Sequence, residues 1–260
     1  MTITVEIILF LAAALGGALN SVVGGATFVI FPALVFAGVP AVSANATSSV
    51  VVWPAALASV FAYRDEIKLP RNSLLALAAA SLTGGTAGAW LLMHTPGAAF
   101  VHLVPWLLLF ATVLFTFGGT LSAKLGAGNL SAHRSRGVLL AVAVAQFLIS
   151  IYGGYFGAGM GILMLAAYAV GGIGNIHAMN GVRSALGLLI NGVAITLFII
   201  DGAITWRPAL VMVVGATLTG YGGAMIARRI DPKAVKRFVM LVAWGMTVYF
   251  FLKTYHALDR

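Results

Sequence analysis

Asn20-Ser21-Val22-Val23-Gly24-Gly25-Ala26-Thr27 interrupts an apolar run that extends from about residue 5 to 37, and Gly153-Gly154-Tyr155-Phe156-Gly157-Ala158-Gly159-Met160-Gly161 interrupts another from about 137 to 172. At ~1.5 Å per residue, each run is too long for one ~30 Å crossing and too short for two. A glycine-broken re-entrant hairpin, or a pair of short half-helices, satisfies that length. Either arrangement leaves backbone N–H groups free at the break, and such helix ends attract anions.

The rest of the chain sets the solvent in which those breaks sit. Of 260 residues, 61% are hydrophobic and 8% charged, against about 25% charged in a soluble domain. This excludes a water-soluble globule and leaves no room for an extramembrane domain. Further apolar stretches at about 46–63, 72–93, 100–118, 185–200, 208–227 and 238–252 are joined by short loops, without the period-two alternation of a membrane barrel. The expected fold is all-α, a polytopic membrane helix bundle surrounded by lipid. Met1–Asn20 has no Lys or Arg ahead of its apolar run, so it reads as a retained first segment and not a signal peptide. The absence of cysteine removes disulfides and thiolate metal sites. Neither a metal nor a cofactor is expected. Enzyme motifs are missing as well, with no G-x-S-x-G, H-E-x-x-H or P-loop.

The formal net charge is +9, but the basic residues gather in a few connections, which is a topology signal and does not point to nucleic acid. Arg64, Lys68 and Arg71 share one loop; Lys124, Arg134 and Arg136 share the central connection; Arg228, Arg229, Lys233, Lys236 and Arg237 share a third. All three are expected in the cytoplasm. Residue i also matches residue i+136: Gly25 falls on Gly161, Asp65 on Asp201, Thr83-Gly84 on Thr219-Gly220 and Pro96 on Pro232, with Asn45 meeting Asn180 after a slip of one. Two repeats follow, 1–122 and 137–253, joined by the basic connection 123–136. The loop at 94–102 has no Lys or Arg, although its repeat partner at 230–238 is strongly basic. The repeats are therefore expected to be inverted, each with an odd number of crossings, its broken first block counting as even, and with both termini outside. Gly84-Gly85-Thr86-Ala87-Gly88 and Gly215-Ala216-Thr217-Leu218-Thr219-Gly220 read as close helix-packing surfaces.

Inverted repeats with broken segments in matching places point to a transport site near the bilayer midplane. A polar cluster follows each break: Ser43-Ala44-Asn45-Ala46-Thr47-Ser48-Ser49, and His177-Ala178-Met179-Asn180-Gly181-Val182-Arg183-Ser184. N-capping accounts for part of this, but Asn45, Thr47, Ser48 and Ser49 exceed what one cap needs. Arg183 heads an apolar run away from the main basic loops, so it reads either as a ligand or gate for an anion or as an arginine snorkelling to the interface. The acids Glu6, Asp65, Glu66, Asp201, Asp231 and Asp259 all fall near span ends, which disfavours a cation site or a buried proton-coupling acid. His177 is the candidate proton site; His94, His102, His133 and His256 read as loop residues. Gln146, Asn191, Tyr152 and Tyr155 either line a cavity or bond between helices. The five tryptophans, Trp53, Trp90, Trp106, Trp206 and Trp244, read as interfacial anchors or packing.

At these residues the chain resembles the sulfite exporter TauE/SafE family of small prokaryotic anion permeases, over nearly its whole length. The resemblance is carried by Gly24-Gly25 with Phe31-Pro32-Ala33-Leu34, by Gly38-Val39-Pro40 and Ala44-Asn45-Ala46-Thr47-Ser48, and by the second copy at Gly157-Ala158-Gly159-Met160-Gly161. The first glycine run is shorter than the family's, the second copy lacks the Pro-x-Leu of the first, and Arg183 stands where the first half has Thr47 or Ser48. The resemblance implies transport of sulfite or an organosulfonate, outward, across the prokaryotic cytoplasmic membrane.

The combined expectation is a secondary transporter that holds a small oxyanion with Gly24, Gly25, Asn45, Thr47, Ser48, Gly157, Gly159, Gly161, Asn180, Arg183 and Ser184, and works by alternating access. A channel-like anion pathway and a membrane scaffold subunit are the alternatives, and a homo-oligomer is compatible with any of the three.

Overall fold

The structure, a computed structural model, describes residues 2–22, 25–67, 69–126, 136–172, 176–227 and 232–256. Among these residues ten α-helices follow one another: α1 Ile3–Val22, α2 Thr27–Phe36, α3 Ala41–Tyr63, α4 Arg71–Met93, α5 Gly97–Gly126, α6 Arg136–Tyr155, α7 Met160–Val170, α8 Ile176–Ile200, α9 Trp206–Ala227 and α10 Pro232–Phe251. No strand occurs among the described residues. Among the described residues seven helices carry a stretch long and apolar enough to cross a membrane, with shorter apolar stretches in α2, α7 and α9. Large apolar side chains such as Phe117, Leu148, Ile200 and Leu241 stand exposed, the lipid-facing surface such a bundle needs.

Both long apolar runs are broken where glycine permits it. Gly25, Gly157 and Gly159 have φ of +98°, +77° and +75°, a region that side chains with a Cβ rarely enter. The outcome is an unequal hairpin in each half, and not a pair of matched half-helices: 20 residues then 10 in the first, 20 then 11 in the second. The short helices fold back on the long ones. A Cβ at Gly16 of α1 would lie 2.9 Å from Ile30 Cγ1 of α2, and one at Gly171, just past α7, would lie 2.6 Å from Val142 Cγ2 of α6. At ~1.5 Å per residue, α7 covers only about half of a bilayer core.

Prolines and glycines frame the other elements. Pro40 and Pro70 cap α3 and α4 with φ near −55°, as suits a helix start. Gly38, at φ +86°, ends α2; its N–H donates to Val35 O and that of Val39 donates to Leu34 O, so the last carbonyls are satisfied.

Packing pairs the helices across the two halves. α1 lies on α9 and α6 on α4; α3 contacts α9 and α8 contacts α4; α2 contacts α10 and α7 contacts α5; α3 meets α8 and α5 meets α10. Shifting each helix number by five turns every one of these pairs into another of them, or into itself. The two largest seams run on glycine, as the small-residue runs lead one to expect. A Cβ at Gly88 would strike Ile151 O of α6, one at Gly154 would strike Gly85 O of α4, and one at Gly215 would lie 2.6 Å from Phe10 O of α1. Backbones approach this closely only where side chains are absent.

Candidate functional site

A cavity of about 170 Å³ lies where the two breaks meet. It is far larger than the ~10–15 Å³ that admits one water and smaller than the ~300 Å³ at which drug-sized sites begin, so it suits a small solute. Both breaks face α5 about one turn apart: a Cβ at Gly159 would lie 3.4 Å from Ala111 O, and one at Gly25 would lie 3.3 Å from Phe115 Cε2.

One wall is polar. Arg183, Ser184 and Asn191 of α8 reach it, as do Ser48, Ser49 and Ser59 of α3 and Asn20 and Thr27 beside the first break. The Arg183 guanidinium lies over the first turn of α7, with Nη1 3.1 Å from where a Cβ at Gly161 would stand. There Met160 N–H donates to Gly157 O at 3.2 Å and Ile162 N–H to Gly159 O at 3.0 Å, and the first turn of a helix carries N–H groups that the helix itself cannot satisfy. Positive helix end and guanidinium thus act on the same space. Among the described residues the ion pairs are Arg64 with Asp65 at 3.7 Å and Arg207 with Glu6 at 2.7 Å; neither involves Arg183, and no carboxylate lines the cavity. The Ser48 and Ser49 hydroxyls donate to Asn45 O at 2.8 and 3.2 Å, so a bound anion would draw them from these helix bonds. The rest of the lining is apolar, with Phe28 and Phe115 edge to face at 5.7 Å and with Phe156, Met160, Ile162 and Met164.

Of the residues expected at the site, Gly25, Ser48, Gly157, Gly159, Gly161, Arg183 and Ser184 come together around the cavity; Gly24 lies outside the described residues. Asn45, Thr47, Asn180 and His177 do not line it. Asn45 is fully buried and its Nδ2 donates to Tyr155 O at 2.9 Å. Thr47 Oγ1 accepts the Thr205 N–H at 3.0 Å, ahead of α9. Asn180 is half-buried in the first turns of α8, and His177 is exposed there.

Of the four polar residues expected either to line a cavity or to bond between helices, only Asn191 is at the cavity. Gln146 bonds Ser81 at 2.8 Å and Tyr168 at 2.8 Å, deep between α4, α6 and α7. Tyr152 donates to Ala158 O at 2.6 Å, and the Tyr155 hydroxyl meets Thr95 Oγ1 at 3.3 Å. His102 lies within α5 and not in a loop, and its Nδ1 is 2.8 Å from Ala98 O. Asn20, Thr27, Ser49 and Ser59 join the cavity without having been singled out as ligands. Ser59 could have been found by continuing the stripe Ser48, Val52, Ala56 by one more step along α3.

A family model described as "Sulfite exporter TauE/SafE" matches residues 9–250. Over 241 residues the chain is 25% identical to a "Probable membrane transporter protein ORF9" of Sinorhizobium sp, covering 92% of this chain and 90% of that protein. A "Probable membrane transporter protein" of Haemophilus influenzae is 26% identical over 242 residues, covering 92% of each. A third, "Probable membrane transporter protein YfcA" of Escherichia coli K12, is 24% identical over 92% of this chain and 87% of its own length. No solved structure matches the chain.

Proposed function

Since the chain belongs to the sulfite exporter TauE/SafE family of membrane transporters, we propose that it moves a small sulfur oxyanion, sulfite or an organosulfonate, outward across a prokaryotic cytoplasmic membrane by alternating access. The observation that carries this reading is the placement of Arg183 on the α7 helix start in a cavity with no lining carboxylate. A guanidinium in a low-dielectric site attracts an anion strongly and a cation not at all. The Phe28–Phe115 pair in the same lining suits the small organic group of a sulfonate.

The helix exchange described above supports reading 1–122 and 137–253 as two repeats. With each hairpin entering and leaving on the same side, so that it counts as even, and each of the next three helices crossing once, a repeat makes the odd number of passes that inversion needs. The connections rich in Lys and Arg then share the cytoplasmic side, and rocking of one repeat against the other exposes the cavity to each side in turn.

The test is flux of radiolabelled sulfite in liposomes that hold the purified protein. Saturable flux, competed by small sulfonates and lost in Arg183→Ala, is the expected result. Flux that never saturates identifies a channel-like pathway, and absence of flux for every sulfur oxyanion removes the reading.

A further inference from the structure

We infer that Asn45 is the latch of a gate that closes the cavity at the end of the bundle formed by the 94–97 and 201–205 connections, leaving the opposite end, beside the basic 64–71 connection, as the way in. This rests on the transport reading above, since alternating access needs one end closed while the other is open.

The cavity lies along the middle of α3, and the two ends of that helix differ. Its lining residues there run from Ser48 to Ser59, and α3 ends at Tyr63. Toward the start of α3, Ala44, Asn45, Ala46 and Thr47 are 0–1% exposed, whereas Ser59, which lines the cavity near the other end of the helix, is half-buried. The closed end is held by a continuous set of contacts. Asn45 Nδ2 donates to Tyr155 O, the last carbonyl of α6; that carbonyl is free to accept because the glycine break stops the helix there. The Tyr155 ring lies edge to face on Phe100 at 5.8 Å, and its hydroxyl meets Thr95. Next to it Phe156 packs on Phe31 at 5.6 Å, and Phe31 stacks on Phe250 at 5.9 Å. First-half and second-half elements are thereby joined in one layer above the cavity.

Asn45 differs from an ordinary structural asparagine in one respect: its Oδ1 is buried with no hydrogen-bond partner. A buried acceptor left unpaired is unfavourable. Parting α3 from the end of α6 would break the Nδ2 bond but let water reach both amide atoms. The closed layer is therefore held by a bond that opening partly replaces, which suits a contact that must be made and broken in every cycle.

The chain has no cysteine, so Ser59→Cys supplies a single thiol at the open end without further changes. A membrane-impermeant maleimide should label it about tenfold faster in inverted vesicles than in intact cells, and Asn45→Ala should reduce that ratio about tenfold, as expected when loss of a net hydrogen bond shifts a two-state equilibrium. Tyr155→Phe keeps the backbone acceptor and removes only the contact with Thr95, so it should give a smaller reduction. Equal labelling from both sides in the parent, or an unchanged ratio in Asn45→Ala, overturns the gate. If Asn45→Ala fails to insert, an unchanged ratio in Tyr155→Phe overturns it. The labelling needs no substrate, so a chain that transports no sulfur oxyanion yet keeps this sidedness refutes the substrate and leaves the gate standing.

Discussion

The guanidinium of Arg183 occupies the space a side chain at Gly161 would fill: a Cβ there would lie 3.1 Å from Nη1 and 3.2 Å from Cδ. Arginine placement in α8 and the absence of a side chain in α7 are thus one feature seen from two helices. Gly161→Ala is expected to push the flexible head aside by a few tenths of an ångström without disturbing the fold. The half-saturating sulfite concentration should rise about five-fold, equivalent to ~1 kcal/mol, with little change in maximal flux.

Arg183→Ala should abolish flux while leaving the protein as stable as the parent or slightly more so. No acid pairs with this half-buried charge among the described residues, and removing an uncompensated charge relieves a desolvation penalty. Arg183→Lys keeps the charge but loses the planar fork, and should retain a small fraction of flux. Liposome flux read beside thermal unfolding in detergent checks both halves of the prediction; a stability loss as large as the flux loss would mark Arg183 as structural.

Two glycines in the bundle should respond oppositely to alanine. At Gly88 the added methyl would strike the Ile151 carbonyl, whereas at Gly245 in α10 nothing lies within 4 Å. Gly88→Ala is expected to destabilise by about 1–3 kcal/mol through overpacking of the α4–α6 seam. Gly245→Ala should be neutral or stabilise by up to ~1 kcal/mol, because the helix gains propensity at an open site. Thermal unfolding of both variants measures the contrast.

Gln146→Leu should weaken the fold without altering the affinity for substrate. Its amide bonds Ser81 and Tyr168 in a fully buried cluster whose residues do not line the cavity. Losing it strands two hydroxyls, at a cost of about 1–3 kcal/mol. Concentration dependence of flux at a temperature well below unfolding should match the parent.

The parts of this site that were legible in the sequence are those fixed by local chemistry. Gly25, Gly157 and Gly159 announced chain breaks because a positive φ is easy only for glycine. Arg183 stood out because an arginine in an apolar run needs a reason. The polar run at 45–49 was harder to read. Asn45, Ser48 and Ser49 lie on one stripe of α3, but Asn45 falls beyond the closed end of the cavity, and Thr47 points to another face, where Thr205 begins α9. Gln146 and Asn191 are equally polar residues inside apolar helices. Only the rotation of α6 and α8 against their neighbours sends one into a buried cluster and the other to the cavity.

Hydropathy and backbone preference, both properties of short stretches, determined from the sequence alone that this chain is a lipid-embedded helical bundle broken twice by glycine. Which polar side chains share a space was decided by tertiary structure alone. The depth of each break, the angle of each short helix and the glycine seams between α1 and α9 and between α4 and α6 set how every helix is turned, and those depend on contacts between residues far apart in the chain.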